Sequence, residues 1–181
     1  FFLSGLVSWL TIFEMEVPSS LNRIIPLLYY MALSASSLTA IVVRYVIIPA
    51  DFNSNNPIGH LFLKQEQVMH NWTLILLSVE LVLGTIEVLP EGVILGGFLG
   101  GIYFYFAYIW ARFFGGYFVY DFIDPRPKSA PYAIVGLVIA FGIFFMIMYA
   151  LYAVLEWNQW VGIPLVILFV QRSVLFKPPS N

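Results

Sequence analysis

Residues 132–155 read YAIVGLVIAFGIFFMIMYALYAVL and contain no charged side chain. A helix of about 20 apolar residues, rising about 1.5 Å per residue, crosses the roughly 30 Å hydrocarbon core of a bilayer. An uncharged stretch of this length is typical of a membrane span, because helices on the surface of soluble proteins carry a polar face. The stretch therefore predicts a transmembrane helix.

The composition of the whole chain extends this prediction. Of the 181 residues, 61% are hydrophobic and only 10% are charged, and the mean hydropathy is +0.89. A soluble domain carries about a quarter charged residues. Five further apolar segments alternate with polar loops rich in helix-breaking residues. We therefore predict an all-α fold, one transmembrane domain over residues 1–181 with about six spans; the other apolar segments are residues 1–13, 21–50, 69–89, 93–119 and 160–176.

The distribution of basic residues predicts the orientation of these spans. Lys and Arg are retained on the cytoplasmic side of membrane proteins, or on its equivalent in organelles. One set of alternate loops receives most of the basic residues, whereas the other receives Arg23 and five glutamates. We expect the C-terminus on the side of the cytosol, matrix or stroma. The chain opens at Phe1 inside an apolar run that is short for a span, so we also expect sequence to precede it.

Several classes of function are excluded by composition. The formal net charge is −2 and no two basic residues are adjacent, which excludes the basic surface that nucleic acids require. There is no cysteine and there are only two histidines, so we predict no metal and no cofactor. Asp121 and Asp124 could suggest a carboxylate pair for a metal, but Arg126 and Lys128 supply counter-charges, and a solvated turn is the preferred interpretation.

A polar stripe on one predicted helix is the main functional signal. At about 100° per residue, one face of the helix carries several polar or ionisable side chains within an apolar segment. Ionisable groups in a membrane normally face the interior of the bundle or a wet cavity. The stripe comprises Glu66, His70, Thr73, Leu77, Glu80, Gly84 and Glu87.

His70 and Glu80 have different predicted surroundings. Ten residues separate them, and at 1.5 Å per residue this places Glu80 about 15 Å deeper in the membrane. His70 could act as a general base near the membrane surface, or it could be an interfacial histidine that only binds a neighbour. Glu80 could be functional, or it could hold helices together through a hydrogen bond.

The next predicted span carries glycines followed by aromatic residues. Gly92, Gly96 and Gly100 are spaced by four residues, which favours close packing with another helix, in this chain or in a partner subunit. Tyr103, Trp110 and Tyr117 lie beyond the glycines. They could line a pocket for an acyl chain, or they could form an interfacial belt or an ordinary packing face.

Residues 67–123 resemble the androgen-induced membrane hydrolases, the family that includes the androgen-dependent regulator of tissue factor pathway inhibitor. In that family a Met-His pair opens a span, a Glu follows ten positions later, and a Trp, a Gly and an aromatic-Val-Tyr end the next span. The matching residues here are Met69, His70, Glu80, Trp110, Gly116, Phe118, Val119 and Tyr120. Asp121 stands where the family usually has Pro.

The resemblance implies a multi-span hydrolase of fatty acid esters of hydroxy fatty acids, which uses a Thr nucleophile and a His. His70 matches the family histidine. Counting back from it puts the family threonine upstream of Phe1, so that Thr11, Thr39 and Thr73 are not its equivalents by position. The candidate catalytic residue is His70, and the candidate substrate-binding residues are Asn71, Glu80, Tyr103, Trp110, Tyr117 and Tyr120.

Two functions remain open at this stage. The first is a membrane hydrolase of lipid esters, or an inactive relative that binds the same membrane lipids. The second is a non-catalytic accessory subunit of a large respiratory or photosynthetic membrane complex, which contacts other subunits through the Gly92, Gly96 and Gly100 face. The first implies an endomembrane location, and the second the mitochondrial inner or thylakoid membrane. A transporter ranks third, because no internal repeat is visible.

Overall fold

The computed structural model describes residues 19–54, 56–84, 90, 92–115, 124, 126–128 and 130–178. All regular secondary structure in these residues is helical, which confirms the all-α prediction. The α-helices of this part of the chain are α1 (Ser19–Val42), α2 (Ile48–Asn53), α3 (Lys64–Gln67), α4 (Thr73–Val82), α5 (Gly92–Trp110), α6 (Ala130–Trp157) and α7 (Gln159–Ser173).

Wide π-helical turns continue three of these helices. Val43–Ile47 joins α1 to α2, Val68–Trp72 joins α3 to α4, and Ala111–Gly115 extends α5. A 3-10 turn, Gly59–Phe62, precedes α3. A π turn inserts an extra residue into a helix and is frequent at functional sites.

Two helices in the described residues are long and apolar enough to cross a membrane. They are Ile24–Asn53, with 30 residues, and Ala130–Trp157, with 28 residues. Only 11% of the most apolar window of α6 is buried within the protein. A core helix of a soluble protein would be mostly buried, so this exposed apolar surface suits a lipid environment. The count of about six spans stays a prediction.

Other helices are shorter than the apolar segments that predicted them. The segment predicted over residues 69–89 ends as a helix at Val82, because Gly84 adopts the left-handed conformation with φ of 68° that terminates helices. Helix α7 has 15 residues and a length of about 22 Å, which is less than the roughly 30 Å hydrocarbon core. The predicted segment over residues 1–13 lies outside the described residues.

The core lies where α1 contacts α4 and α6. Tyr30 and Leu33 of α1 are buried together with Leu74 of α4 and with Phe145 and Met148 of α6. Beside this cluster, the Tyr29 hydroxyl donates a hydrogen bond of 2.5 Å to the carbonyl oxygen of Leu77. This contact fixes α4 against α1 and so positions the helix end on which His70 lies.

Helices α6 and α7 form a tight hairpin. The Asn158 side chain accepts a hydrogen bond from the Trp160 backbone N–H at 2.9 Å, and so caps α7. A Cβ atom at Gly162 would lie 2.7 Å from the Leu155 Cα atom, so only glycine allows the two helices to approach this closely.

The glycine face of α5 packs at one end only. A Cβ atom at Gly92 would lie 3.0 Å from the Phe145 ring, which shows close packing of α5 on α6 at that point. A Cβ atom at Gly97, Gly100 or Gly101 would meet no other atom within 4 Å. Gly96 lies in the same helix. The face that was predicted to contact a partner therefore remains open at Gly100.

Candidate active site

A cavity of about 660 Å³ lies between α1, α5, α6 and the stretch that runs from the 3-10 turn to the second π turn. Pockets that bind small ligands are mostly apolar, with a few polar groups that fix orientation. This cavity has that character. Its polar walls are Thr39, His60, Glu66, His70 and Tyr103, and its other walls are Ala35, Leu38, Val42, Val43, Ile47, Leu61, Met69, Leu137 and Phe141.

Glu66 and His70 form a hydrogen-bonded pair at this cavity. The Nε2 atom of His70 lies 3.0 Å from the Oε2 atom of Glu66. Glu66 belongs to α3 and His70 to the π turn that follows, so the two side chains lie one helical turn apart. Only 8% of the His70 surface is exposed. The structure confirms that these two members of the predicted stripe share one face.

This pairing determines which nitrogen of His70 keeps a free lone pair. A carboxylate only accepts hydrogen bonds, so Nε2 carries a proton and donates it to Glu66. The Nδ1 atom of His70 is buried and has no hydrogen-bond partner among the described residues. Buried polar atoms normally have a partner. In the part of the chain that the structure describes, the Tyr30 and Ser34 hydroxyl groups are also buried without one, but His70 Nδ1 belongs to a residue that lines the cavity. Nδ1 can accept a proton, and the Glu66 carboxylate would then stabilise the imidazolium.

His60 is the second histidine of the cavity. Its Nδ1 atom lies 3.0 Å from the Pro57 carbonyl oxygen. Since a carbonyl oxygen only accepts, Nδ1 carries the proton and Nε2 is left with a lone pair. The side chain is exposed at its position on the cavity wall.

The apolar part of the cavity adjoins a second, smaller space. A notch of about 100 Å³ shares Leu38, Leu137 and Phe141 with the cavity, and its far wall includes Gly97 and Gly100 of α5. The open glycines thus leave room beside the apolar wall. Tyr103, a candidate substrate-binding residue from the sequence, lies on the cavity wall.

Asn71 is engaged elsewhere. It is 4% exposed, and its Nδ2 atom donates to Gln67 Oε1 at 2.6 Å and to the Leu175 carbonyl oxygen at 2.8 Å. Its Oδ1 atom accepts from the Leu175 backbone N–H at 3.4 Å. The amide therefore holds the segment after α7 against the π turn, and it does not line the cavity.

Two further predicted site residues, Glu80 and Trp110, do not line the cavity. Glu80 is half-buried on α4. Trp110 stacks against Phe106 and Phe114, with ring centroids at 6.3 and 5.6 Å, on an exposed face of α5. Tyr117 and Tyr120 lie outside the described residues.

A separate charged pair, Asp124 and Arg126, lies on the turn before α6. The guanidinium donates to the carboxylate through Nη2 at 2.6 Å and through Nε at 2.8 Å. These hydrogen bonds hold the pKa of the Asp124 carboxyl below its ordinary value. The geometry agrees with a solvated turn. Within the described ranges, no three His, Cys, Asp or Glu side chains are placed to hold a metal ion.

Thr39 and His60 were not singled out as site residues from the sequence. Each reaches the cavity through packing between segments that are distant along the chain, which leaves no local pattern. Arg44 carried a visible signal, because a charged residue within an apolar segment must find a partner. Its Nη1 atom donates to the Gln171 carbonyl oxygen at 3.0 Å and to the Val174 carbonyl oxygen at 2.5 Å, at the end of α7.

Comparison with known proteins identifies no relative: no family model, no curated protein and no solved structure matches this chain. The resemblance over residues 67–123 rests on the residues that carry it. We therefore infer function from the cavity and its side chains.

Proposed function

We propose that this chain is a multi-pass membrane protein of about six spans that binds a fatty-acyl ester in the cavity and hydrolyses it. The observation that carries the proposal is the Glu66–His70 pair at the wall of a mainly apolar cavity, with His70 Nδ1 left without a partner. The resemblance to the androgen-induced membrane hydrolases supports the same class of substrate, a fatty acid ester of a hydroxy fatty acid.

In this proposal His70 is the general base. Nδ1 takes the proton of a hydroxyl group whose oxygen attacks the ester carbonyl carbon, and the Glu66 carboxylate stabilises the imidazolium that forms. The bond from the carbonyl carbon to the alcohol oxygen then breaks, and Nδ1 returns the proton to the leaving alcohol. Water repeats the sequence on the acyl-enzyme and releases the acid.

Thr39 supplies the attacking hydroxyl. Thr39 belongs to α1 and, like His70, lines the cavity. By position it is not the family's threonine, so its role here is proposed from its place in the cavity alone. The acyl chain lies against Leu38, Leu137 and Phe141, with Tyr103 beside it. Trp110 belongs to the membrane-facing surface of α5.

Hydrolysis of a branched fatty-acid ester by the purified protein tests this proposal. We expect His70→Ala to lower kcat/KM by on the order of a hundredfold or more, because a general base contributes about that much. Thr39→Val should abolish the acyl-enzyme. Lys128→Gln, on the turn before α6, is the control and should leave turnover unchanged. Equal turnover by wild type and His70→Ala would reject the role of His70.

The membrane crossing of α6, one of the proposed spans, needs its own test. The chain has no cysteine, so a maleimide reacts only with a cysteine that is introduced. Single-cysteine variants at Lys128 and Glu156 stand near the two ends of α6. If α6 crosses the membrane with the basic side inward, a membrane-impermeant maleimide will label Glu156→Cys in sealed cells or organelles and will label Lys128→Cys only after permeabilisation. Labelling of both from one side would contradict the proposed topology.

An accessory subunit is the second candidate function, favoured by the surface of α5. Phe113 and Phe114 are 72% and 74% exposed, and Gly97, Gly100 and Gly101 have open space beside them. Such a face fits a neighbouring membrane helix. Co-purification in mild detergent separates the candidates: a subunit elutes within a large complex on size exclusion, whereas a free monomer argues against this role.

A further inference from the structure

Three of the five polar side chains on the cavity wall lie on one short stretch of chain. His60, Glu66 and His70 all come from the region of the 3-10 turn, α3 and the π turn. The Gln67 side chain donates to the Leu61 carbonyl oxygen at 3.0 Å, which ties the turn that carries His60 to the helix that carries the Glu66–His70 pair. Leu38, Leu137 and Phe141 adjoin the notch beside α5 instead. The cavity therefore has a polar part and an apolar part, as an amphiphile does.

The two histidines differ in what they leave available. The Nε2 atom of His70 binds a carboxylate. His60 instead binds a carbonyl oxygen through Nδ1, and its Nε2 atom forms no ion pair with any of the described residues. A carboxyl group and an imidazole bind through a single shared proton. Either the acid donates to the Nε2 lone pair, or the imidazolium donates to the carboxylate. A methyl ester has no proton to donate, and its uncharged carbonyl oxygen accepts only a weaker hydrogen bond than a carboxylate does.

We infer that His60 binds the free carboxyl group of the lipid in the cavity and makes the protein selective for lipid acids over their esters. This inference rests on the proposed use of the cavity for an acyl lipid, and it adds a specificity-determining residue to that site. His60 holds the carboxyl end at the exposed side of the cavity, the chain extends toward Leu137 and Phe141, and His70 acts on an ester group between them.

Binding then requires uptake of one proton, so it depends on pH. The other ionisable groups on the cavity wall are Glu66 and His70, from α3 and the π turn, and Tyr103 from α5. The residues of α1 and α6 that line the cavity have no ionisable side chain. Affinity for a fatty acid should therefore fall as pH rises, and affinity for the methyl ester should stay constant.

The test compares binding of palmitate and methyl palmitate to the purified full chain in nanodiscs. We expect wild type to prefer palmitate roughly three- to tenfold at mildly acidic pH, the range of one charge-assisted hydrogen bond at an accessible position. His60→Gln should remove this preference and leave methyl palmitate affinity unchanged. His60→Lys should keep the preference and lose its dependence on pH between about 6 and 8, because an ammonium group stays charged there.

A His70→Gln variant separates this inference from the proposed hydrolysis. It should lose turnover and retain the preference for palmitate. If His60→Gln keeps the wild-type preference, the role of His60 is wrong, whether or not the protein hydrolyses esters. If His70→Gln also loses the preference, recognition belongs to His70 and the assignment to His60 is overturned.

Discussion

The pairs Glu66–His70 and Asp124–Arg126 are both short contacts between a carboxylate and a nitrogen base, and their nitrogen bases lie in opposite surroundings. His70 is nearly buried at an apolar cavity, and the guanidinium of Arg126 is exposed on a turn. Exposed pairs contribute little because water and salt screen them. A buried partner orients the base and stabilises its charged form. The comparison teaches that surroundings, rather than contact distance, decide which pair can support chemistry.

The largest difference between the two pairs should appear in turnover. Glu66→Gln removes the negative charge that stabilises the His70 imidazolium, so we expect kcat to fall by on the order of tenfold to a hundredfold. Asp124→Asn should leave kcat unchanged. Glu156→Gln, an exposed glutamate at the end of α6, is the matched control. Steady-state hydrolysis of the ester measures all three, and equal loss in Glu66→Gln and Glu156→Gln would contradict the assignment.

Burial should separate two asparagines in the same way. Asn71→Ala leaves the backbone of Leu175 without its partners, so we expect a loss of about 1–3 kcal/mol in the free energy of unfolding. Asn56 binds Asp51 at 3.0 Å on an exposed loop, and Asn56→Ala should change stability by less than about 0.5 kcal/mol. Denaturation in detergent measures both. Similar losses would show that the Leu175 contact is not a buried anchor.

Arg44 and Arg112 allow the same comparison between an arginine with structural partners and an exposed one. Arg44 binds the last carbonyl groups of α7, where a positive charge also interacts favourably with the helix dipole. We expect Arg44→Gln to lower stability by about 1 kcal/mol. Arg112 is exposed and serves as the control. If Arg112→Gln is as destabilising as Arg44→Gln, the capping role is excluded.

The smallest effect should come from Asp124. Its pKa is lowered by Arg126, so the pair stabilises the fold above the ordinary carboxyl pKa of about 3.9, and this contribution is lost as pH falls through the lowered value. Because the Arg126 guanidinium is exposed and water screens its charge, we expect Asp124→Asn to lower the Tm only slightly at neutral pH. A clear drop in Tm at neutral pH would show that this turn contributes more than its exposure indicates.

Local patterns predicted the features that depend on nearby residues. The uncharged run of residues 132–155 predicted α6, and a spacing of four residues predicted that Glu66 and His70 share a face. Contacts between distant residues were not predictable in this way. Asn71 and Leu175 are 104 positions apart, and the approach of His60 and Thr39 to one cavity depends on how α1 packs. Helix α4 ends at Val82, before the predicted apolar segment does, because Gly84 adopts a left-handed backbone conformation that terminates the helix.

The most direct test of the central claim is to locate the bound acyl chain. A fatty-acid ester with a photoactivatable group at the end of its acyl chain would be crosslinked to the protein in nanodiscs, with and without excess unlabelled ester, and the labelled peptides identified. We expect saturable labelling of the wall formed by Leu38, Leu137 and Phe141. Ala35→Phe, which fills the cavity, should reduce this labelling. Ala32→Phe, at an exposed alanine of α1 that does not line the cavity, should leave the labelling unchanged. Labelling that is confined to the exposed face of α5 and is not displaced by unlabelled ester would contradict the account.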